Sequence, residues 1–225
     1  MLKTLAEGMP EIVPTYSGVD VCSMTGLGVK PRTGEARLEA TNEAVGFGGH
    51  AGGDGADGIM HLSEPGCRNN PVEVLETRSP MFIESYGYRP DSRGAGRLRG
   101  GVGVGRAYRF PAPSTGICLV HKTHTKPWSI AGGGVGDRNP GTEREAVRGG
   151  SYNRRDAGEL LLSNTGGGGR HGDPHERNVG NVGNVGNDFV SVESAARDYA
   201  DVLGSLTFLV YAAATAQRRA GASAA

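Results

Sequence analysis

A disulfide framework is excluded first. The 225 residues hold only three cysteines, Cys22, Cys67 and Cys118. They are odd in number and scattered, without the close pairs of a zinc site or the density of a secreted scaffold, so reduced thiols are expected. Net charge is missing too. Lys and Arg number 24 against 24 Asp and Glu, which leaves no general electrostatic footprint for nucleic acid or an anionic membrane. Long apolar runs are also lacking: the longest, Leu206 to Ala216, falls short of the roughly 20 residues that a spanning helix needs. Met1 to Pro14 shows no basic start followed by an apolar core and a cleavage site, so no secretory leader is expected. Together these absences point to a soluble, cytoplasmic protein with neither nucleic-acid nor membrane partners.

Glycine is what the chain has in abundance, 39 residues against a hydrophobic fraction of 36%. That composition predicts an α+β fold, β-rich, with mixed sheets of short strands joined by glycine-rich loops and with a C-terminal helix. The glycine runs are not nucleotide loops of the familiar kinds. No GxxxxGK[ST] occurs, and Gly101, Gly103 and Gly105 lead into a strand rather than a helix. Strands are expected at Gly18 to Met24, Ala36 to Val45, Val72 to Leu75, Met81 to Tyr88, Ala107 to Phe110, Ile117 to His121 and Leu160 to Ser163. Leu2 to Glu7 reads as a short helix ended by Pro10 and Pro14. Ser191 is placed to cap a helix over Val192 to Leu203, and the tail from Thr215 is expected to be a frayed helix or disordered.

Several polar residues stand where chemistry is possible. The loop GFGGHAGGDGADG sets Asp54 and Asp57 between His50 and His61, which reads either as a solvated loop or as a site that holds a metal or moves a proton. No HExxH spacing fixes those side chains, and no metal ligand is assigned. His121 and His124 read as surface residues beside an extended stretch. His171, Asp173 and His175 in HGDPHE read as a turn, because Pro174 breaks any regular strand. Between Asp91 and Arg106 the glycines alternate with Arg93, Arg97, Arg99 and Arg106; arginines there grip an anion or pair with Asp91 to fix a turn. The NVG repeat from Asn178 to Gly186 is too short for a solenoid.

The ordered segments CRNNPVEVLE, Pro80, IESY and DSRGAGRLRGGVG resemble the hydantoinase B/oxoprolinase family, whose pattern is NxPVExLE, a Pro, a Tyr and DSGGAGxxRGGxG. Arg93 stands where that pattern has Gly. KTHTKPWSIAGGGVGDRNPGTERE, TGGGGRHGDPHER and SVESAARDYADVL resemble the family's later motifs in the same order. The resemblance covers residues 1–204 and leaves 205–225 as a tail. It implies the C-terminal portion of a subunit of an ATP-dependent enzyme that opens cyclic amides such as 5-oxoproline or hydantoin. Relatives in the family carboxylate ketones, and a non-catalytic assembly module is the further alternative. ATP is expected on a hydantoinase A-type partner subunit, and a divalent metal in the family's N-terminal half, beyond this stretch. Asp91, Arg97, Arg99, Gly100, Gly101 and Lys126 become candidates for holding substrate or phosphate, and Asp54, Asp57, His61, Asn70 and Glu73 become loop candidates. A portion of a larger subunit is also expected to expose apolar surface.

Overall fold

The computed structural model describes residues 2–18, 22–30, 32–61, 66–121, 124–132, 141–142, 149–178, 187, 189–204 and 209–223. Most of the NVG repeat therefore lies outside the described residues. Two four-stranded antiparallel sheets form the framework. The first has the order β2-β1-β5-β7, from Ala36–Asn42, Cys22–Val29, Ser114–Val120 and Gly149–Arg155. The second has the order β3-β4-β8-β6, from Phe82–Tyr88, Val104–Arg109, Leu160–Asn164 and Gly141–Thr142. The α+β, strand-rich class expected from composition is the class observed.

Alternation explains why the sheets face each other. In β1, Cys22 and Met24 are buried, and in β5, Cys118 and Val120 are; these meet Tyr108, Phe110 and Leu161 of the second sheet, with Val45 and Met81 completing the core. Successive strand residues point to opposite faces, so Leu27, Leu38, Leu119 and Tyr152 point the other way, and they are 39%, 62%, 44% and 67% exposed. Leu27 pairs directly with Leu38 across β1 and β2, and Tyr152 with Ile117 across β5 and β7. This outer face is an exposed apolar surface of the first sheet. Among the described residues no cysteine forms a disulfide, and burial pushes the Cys118 thiol up to about 11, which keeps it a poor nucleophile. No helix among the described residues is long and apolar enough to cross a membrane.

Among the described residues four α-helices flank the sheets. Leu2–Gly8 forms α1. Val72–Arg78 forms α2, where the sequence predicted a strand over Val72 to Leu75. The reason for this difference is local: Pro71 sits at the N-cap with φ −54°, Glu73 and Arg78 complement the helix ends, and only Leu75 is buried, as one turn against a sheet edge requires. Val192–Asp198 forms α3, with the Ser191 hydroxyl accepting from the Ser194 amide. It stops short of the predicted Leu203 because Ala200 takes φ +54°. Of the two readings of the tail, the helix is observed: α4, Ala212–Ser223, starts before Thr215 and is anchored by Arg219, which is buried and holds Asp201 at 2.7 Å and the Tyr199 carbonyl at 2.9 Å.

Candidate functional site

Three glycine-rich segments, 46–58, 94–103 and 165–172, run side by side at one end of the core. The Gly101 amide donates to the Phe47 carbonyl at 2.8 Å, the Gly168 amide to the Gly101 carbonyl at 2.9 Å, and the Phe47 amide to the Ala56 carbonyl at 2.9 Å. The backbones approach so closely that a Cβ on Gly101 would lie 1.8 Å from the Ala56 oxygen, and one on Gly168 would lie 1.9 Å from the Phe47 oxygen. The motif glycines are thus used for backbone-to-backbone packing. Their amides point at protein carbonyls, which leaves Gly100 and Gly101, whose amides go to Gly94 and Phe47, without N–H groups to offer a phosphate.

Charge locks this stack from one side. Arg99 makes a two-toothed pair with Asp57, at 2.7 and 2.8 Å, and Asp57 also accepts from the Val102 amide at 2.8 Å. Asp54 accepts from the Arg99 amide at 2.9 Å and from both terminal nitrogens of Arg177, at 2.9 and 2.8 Å. Burial raises the Asp54 carboxyl, but hydrogen bonding and charge from Arg177 outweigh it, together with Arg99, and hold its pKa below 3.8. A carboxylate so held stabilises the fold fully above its unfolded pKa and loses that contribution as pH falls through the folded one. Chemical denaturation across a pH series is therefore expected to show stability falling below about pH 4, with a shallower fall in Asp54→Asn. An unchanged slope in that variant would place the acid sensitivity elsewhere.

The remaining predicted residues are dispersed. Arg97 is half exposed and lies 3.8 Å from Glu176. Asp91, at φ +60°, accepts from the Ser191 amide at 2.8 Å and so braces the start of α3. Lys126 is exposed on the stretch leading to Trp128. His61 is buried, and Glu73 is exposed in the first turn of α2. In HGDPHE, Asp173 caps a single 3-10 turn by accepting from the His175 amide at 2.8 Å, the turn that the sequence predicted. Among the described residues no three of His, Cys, Asp and Glu gather as a metal-ligand set.

Asn70 lines an open cleft. Its volume is ≈ 260 Å³, and Asn42, Arg68, Asn69, Asn70, Leu75 and Arg106 are among its walls. Asn69 donates to the Tyr86 hydroxyl at 2.7 Å, and the Arg106 guanidinium lies 4.2 Å from the centre of the Tyr86 ring. Behind Arg106 is a buried network. Glu43 faces Arg106 Nε at 3.6 Å and accepts from the Tyr108 hydroxyl, which also meets Arg106 at 3.2 Å and Thr41 at 2.8 Å. Burial raises the Glu43 carboxyl, against the pull of Arg106 and Tyr108, and burial with Glu43 keeps Tyr108 protonated. Burial also works against the charge on Arg106, but Glu43, Tyr108 and Tyr86 together outweigh it and keep the guanidinium ionised. The sequence reading missed Glu43 and Tyr108. Their signal was the i, i+2 spacing of Arg106 and Tyr108 on one strand, which puts a cation on a core-facing register and demands a buried carboxylate nearby.

Comparison with known proteins turns on these same segments: the model of the hydantoinase B/oxoprolinase family matches residues 1–174. The chain belongs to this family. An uncharacterised protein of Methanocaldococcus jannaschii is 33% identical over 140 residues, which are 58% of this chain and 24% of that protein. A 5-oxoprolinase of Pestalotiopsis fici is 29% identical over 161 residues, 65% of this chain and 12% of that protein. The crystal structure of an ATP-dependent caprolactamase from Pseudomonas jessenii shares the fold at a TM-score of 0.77 and 23% identity, over 96% of this chain and 40% of that one. The chain thus spans a quarter or less of the length of these curated relatives.

Proposed function

We propose that this hydantoinase B/oxoprolinase chain contributes the substrate-contacting cleft of an ATP-dependent cyclic-amide hydrolase, which opens rings of the 5-oxoproline or hydantoin type together with an ATP-binding, hydantoinase A-type subunit. The observation that carries the reading is the convergence of Asn69, Asn70 and Arg106 on one cleft. A ring amide presents its N–H and C=O on a single edge, and a carboxamide side chain offers the matching acceptor and donor. Arg106, kept ionised by Glu43, Tyr108 and Tyr86, supplies positive charge beside the position of a carbonyl oxygen on which negative charge develops. Among the described residues no three of His, Cys, Asp and Glu gather as a ligand set, and the amides of Gly100 and Gly101 already go to protein carbonyls; both observations support a reading in which the partner subunit binds ATP and the family's N-terminal half holds a divalent ion.

A second reading, a non-catalytic assembly module, is favoured by the apolar outer face at Leu27, Leu38, Leu119 and Tyr152, which is suited to be covered by a partner. The test co-purifies the chain with the rest of its subunit and the ATP-binding partner, and measures ADP release driven by 5-oxoproline or hydantoin. Asn70→Ala, an exposed position, is expected to lower kcat/KM by about 10- to 100-fold with folding unchanged, the loss of one transition-state donor. Co-purification without turnover supports the assembly module instead. ADP release that needs bicarbonate and a ketone, and not a cyclic amide, moves the reading to the ketone carboxylases of the family.

A further inference from the structure

Arg93 is a buried guanidinium that no carboxylate of a described residue pairs with. Arg99 and Arg177 are neutralised by Asp57 and Asp54, Arg219 by Asp201, and Arg197 by Asp198. Arg93 is 8% exposed, and its Nε and Nη1 are buried without a hydrogen-bond partner; so are Nε of Arg170 and the hydroxyl of Tyr199. The Arg93 guanidinium lies 5.9 Å from the Tyr199 ring centre. A buried ion without a partner costs the fold several kcal/mol, and burial, together with repulsion from Arg99 and Arg177, draws the Arg93 pKa down to about 10, so it still carries its charge at neutral pH. Nε and Nη1 of Arg93 and the hydroxyl of Tyr199 are buried donors on residues that line one small space, and an anion there would satisfy them.

We propose that Arg93 and Tyr199, in the positive field of Arg170, bind a small carboxylate anion. The size of the space selects the ligand. Arg93, Ala95, Val190, Ser194 and Tyr199 surround ≈ 10 Å³, room for about one water-sized group. A planar carboxylate can put one oxygen into such a space and lie flat against the Arg93 guanidinium, a geometry that a bulkier tetrahedral phosphate or sulfate does not match. Asp91 and Asp198 also line it, but Asp91 is occupied by the Ser191 amide and Asp198 by Arg197 at 2.8 and 3.0 Å. The Ser194 hydroxyl accepts from Arg197 at 3.0 Å, which leaves its own proton to donate. This site shares no lining residue with the Asn70 cleft and stands whether or not the ring-opening reading does. Because Arg93 replaces the glycine of the family pattern, the site belongs to this chain and not to relatives that keep the glycine.

The test titrates the full chain with sodium acetate, formate, phosphate and sulfate at fixed ionic strength, and follows Tm together with heats of binding. Acetate and formate are expected to raise Tm saturably, while phosphate and sulfate have no effect. Arg93→Met is expected to weaken acetate binding by at least about tenfold, the loss of a hydrogen bond to a charged group, and Tyr199→Phe by a smaller factor. If Arg93→Met does not fold, Tyr199→Phe decides alone. The proposal fails if acetate leaves Tm unchanged, or if a folded variant keeps the wild-type response. Addition of the rest of the subunit separates the two sources of carboxylate. Loss of the acetate response in the assembled subunit identifies an acidic side chain as the occupant, and retention identifies a free small carboxylate.

Discussion

Gly101→Ala is expected to leave the chain without a cooperative unfolding transition. The added Cβ would sit 1.8 Å from the Ala56 carbonyl oxygen and 3.0 Å from the Phe47 nitrogen, both backbone atoms that no rotamer change relieves. Separating them means breaking the bonds from the Phe47 amide to Ala56 and from the Gly101 amide to Phe47. It also moves Asp57 away from Arg99, because the pair bridges the same two segments. A clash of this kind belongs to the tail of the mutational distribution, above about 4 kcal/mol, a large share of the 5–15 kcal/mol by which domains are stable. Gly87→Ala is the control. It lies on β3 with nothing within 4 Å of the new methyl group, and is expected to change stability by no more than about 0.5–1 kcal/mol. Circular dichroism melts of the two variants distinguish them, and a Gly101→Ala protein with a wild-type melt would mean that these segments do not interleave as described.

That result bears on which parts of the molecule were legible in the sequence. Strands announced themselves where alternation was clean, as in β5, with Ser114, Gly116, Cys118 and Val120 inward and Leu119 outward. Alternation also misled, at Val72 to Leu75, where Glu73 among apolar residues imitates a strand although Pro71 and a single buried Leu75 make one helical stretch. The glycine runs were visible, but their use was not. Whether a glycine-rich loop wraps a ligand or another backbone depends on what lies across from it, and the partner of Gly101 is Ala56, far away in the chain. The same limit applies to charge. Asp54 and Asp57 were singled out, and so was Arg99, but as members of different groups, because the contacts between them span more than 40 positions. Asp54 goes further, to Arg177 at a separation of 123. Local periodicity carries no information at that range, whereas the order of motifs does, since Arg177 closes the HGDPHER segment that resembles the family.

The clamp and the cleft use arginine in different ways, and this difference sets their mutational behaviour. Arg99 spans two carboxylates at a partly open edge, with the side chains of Asp54 and Asp57 34% and 18% exposed, so water can compensate a lost partner there. Arg106 has no such recourse. Its side chain and that of Glu43 are 4% and 1% exposed, so the charge that remains when one of them is removed is far less hydrated than one at the Asp54 edge.

Arg106→Met is accordingly expected to cost about 3–5 kcal/mol, the usual result of leaving one ion of a buried pair unmatched. Methionine fills much of the volume beside Tyr86, so the loss reports charge more than packing. The size of the loss depends on pH. Burial already raises the Glu43 carboxyl, and without Arg106 nothing but Tyr108 opposes that rise. A carboxyl with a raised folded pKa gives a stability that is complete below its unfolded value, near 4.5, and is lost as pH climbs through the folded value. Arg106→Met is therefore expected to be least destabilising in mild acid and most destabilising at neutral and alkaline pH, opposite in slope to the Asp54 clamp. Glu43→Gln keeps an oxygen for the Tyr108 hydroxyl but strands the Arg106 cation, so it is costly too. The double variant removes both charges and is expected to be more stable than either single one, with a coupling of at least about 2 kcal/mol in a double-mutant cycle from urea denaturation. Additive losses, or a pH-independent cost for Arg106→Met, would show that Glu43 and Arg106 do not share an ion pair, and would remove the support that keeps a guanidinium at the wall of the Asn70 cleft.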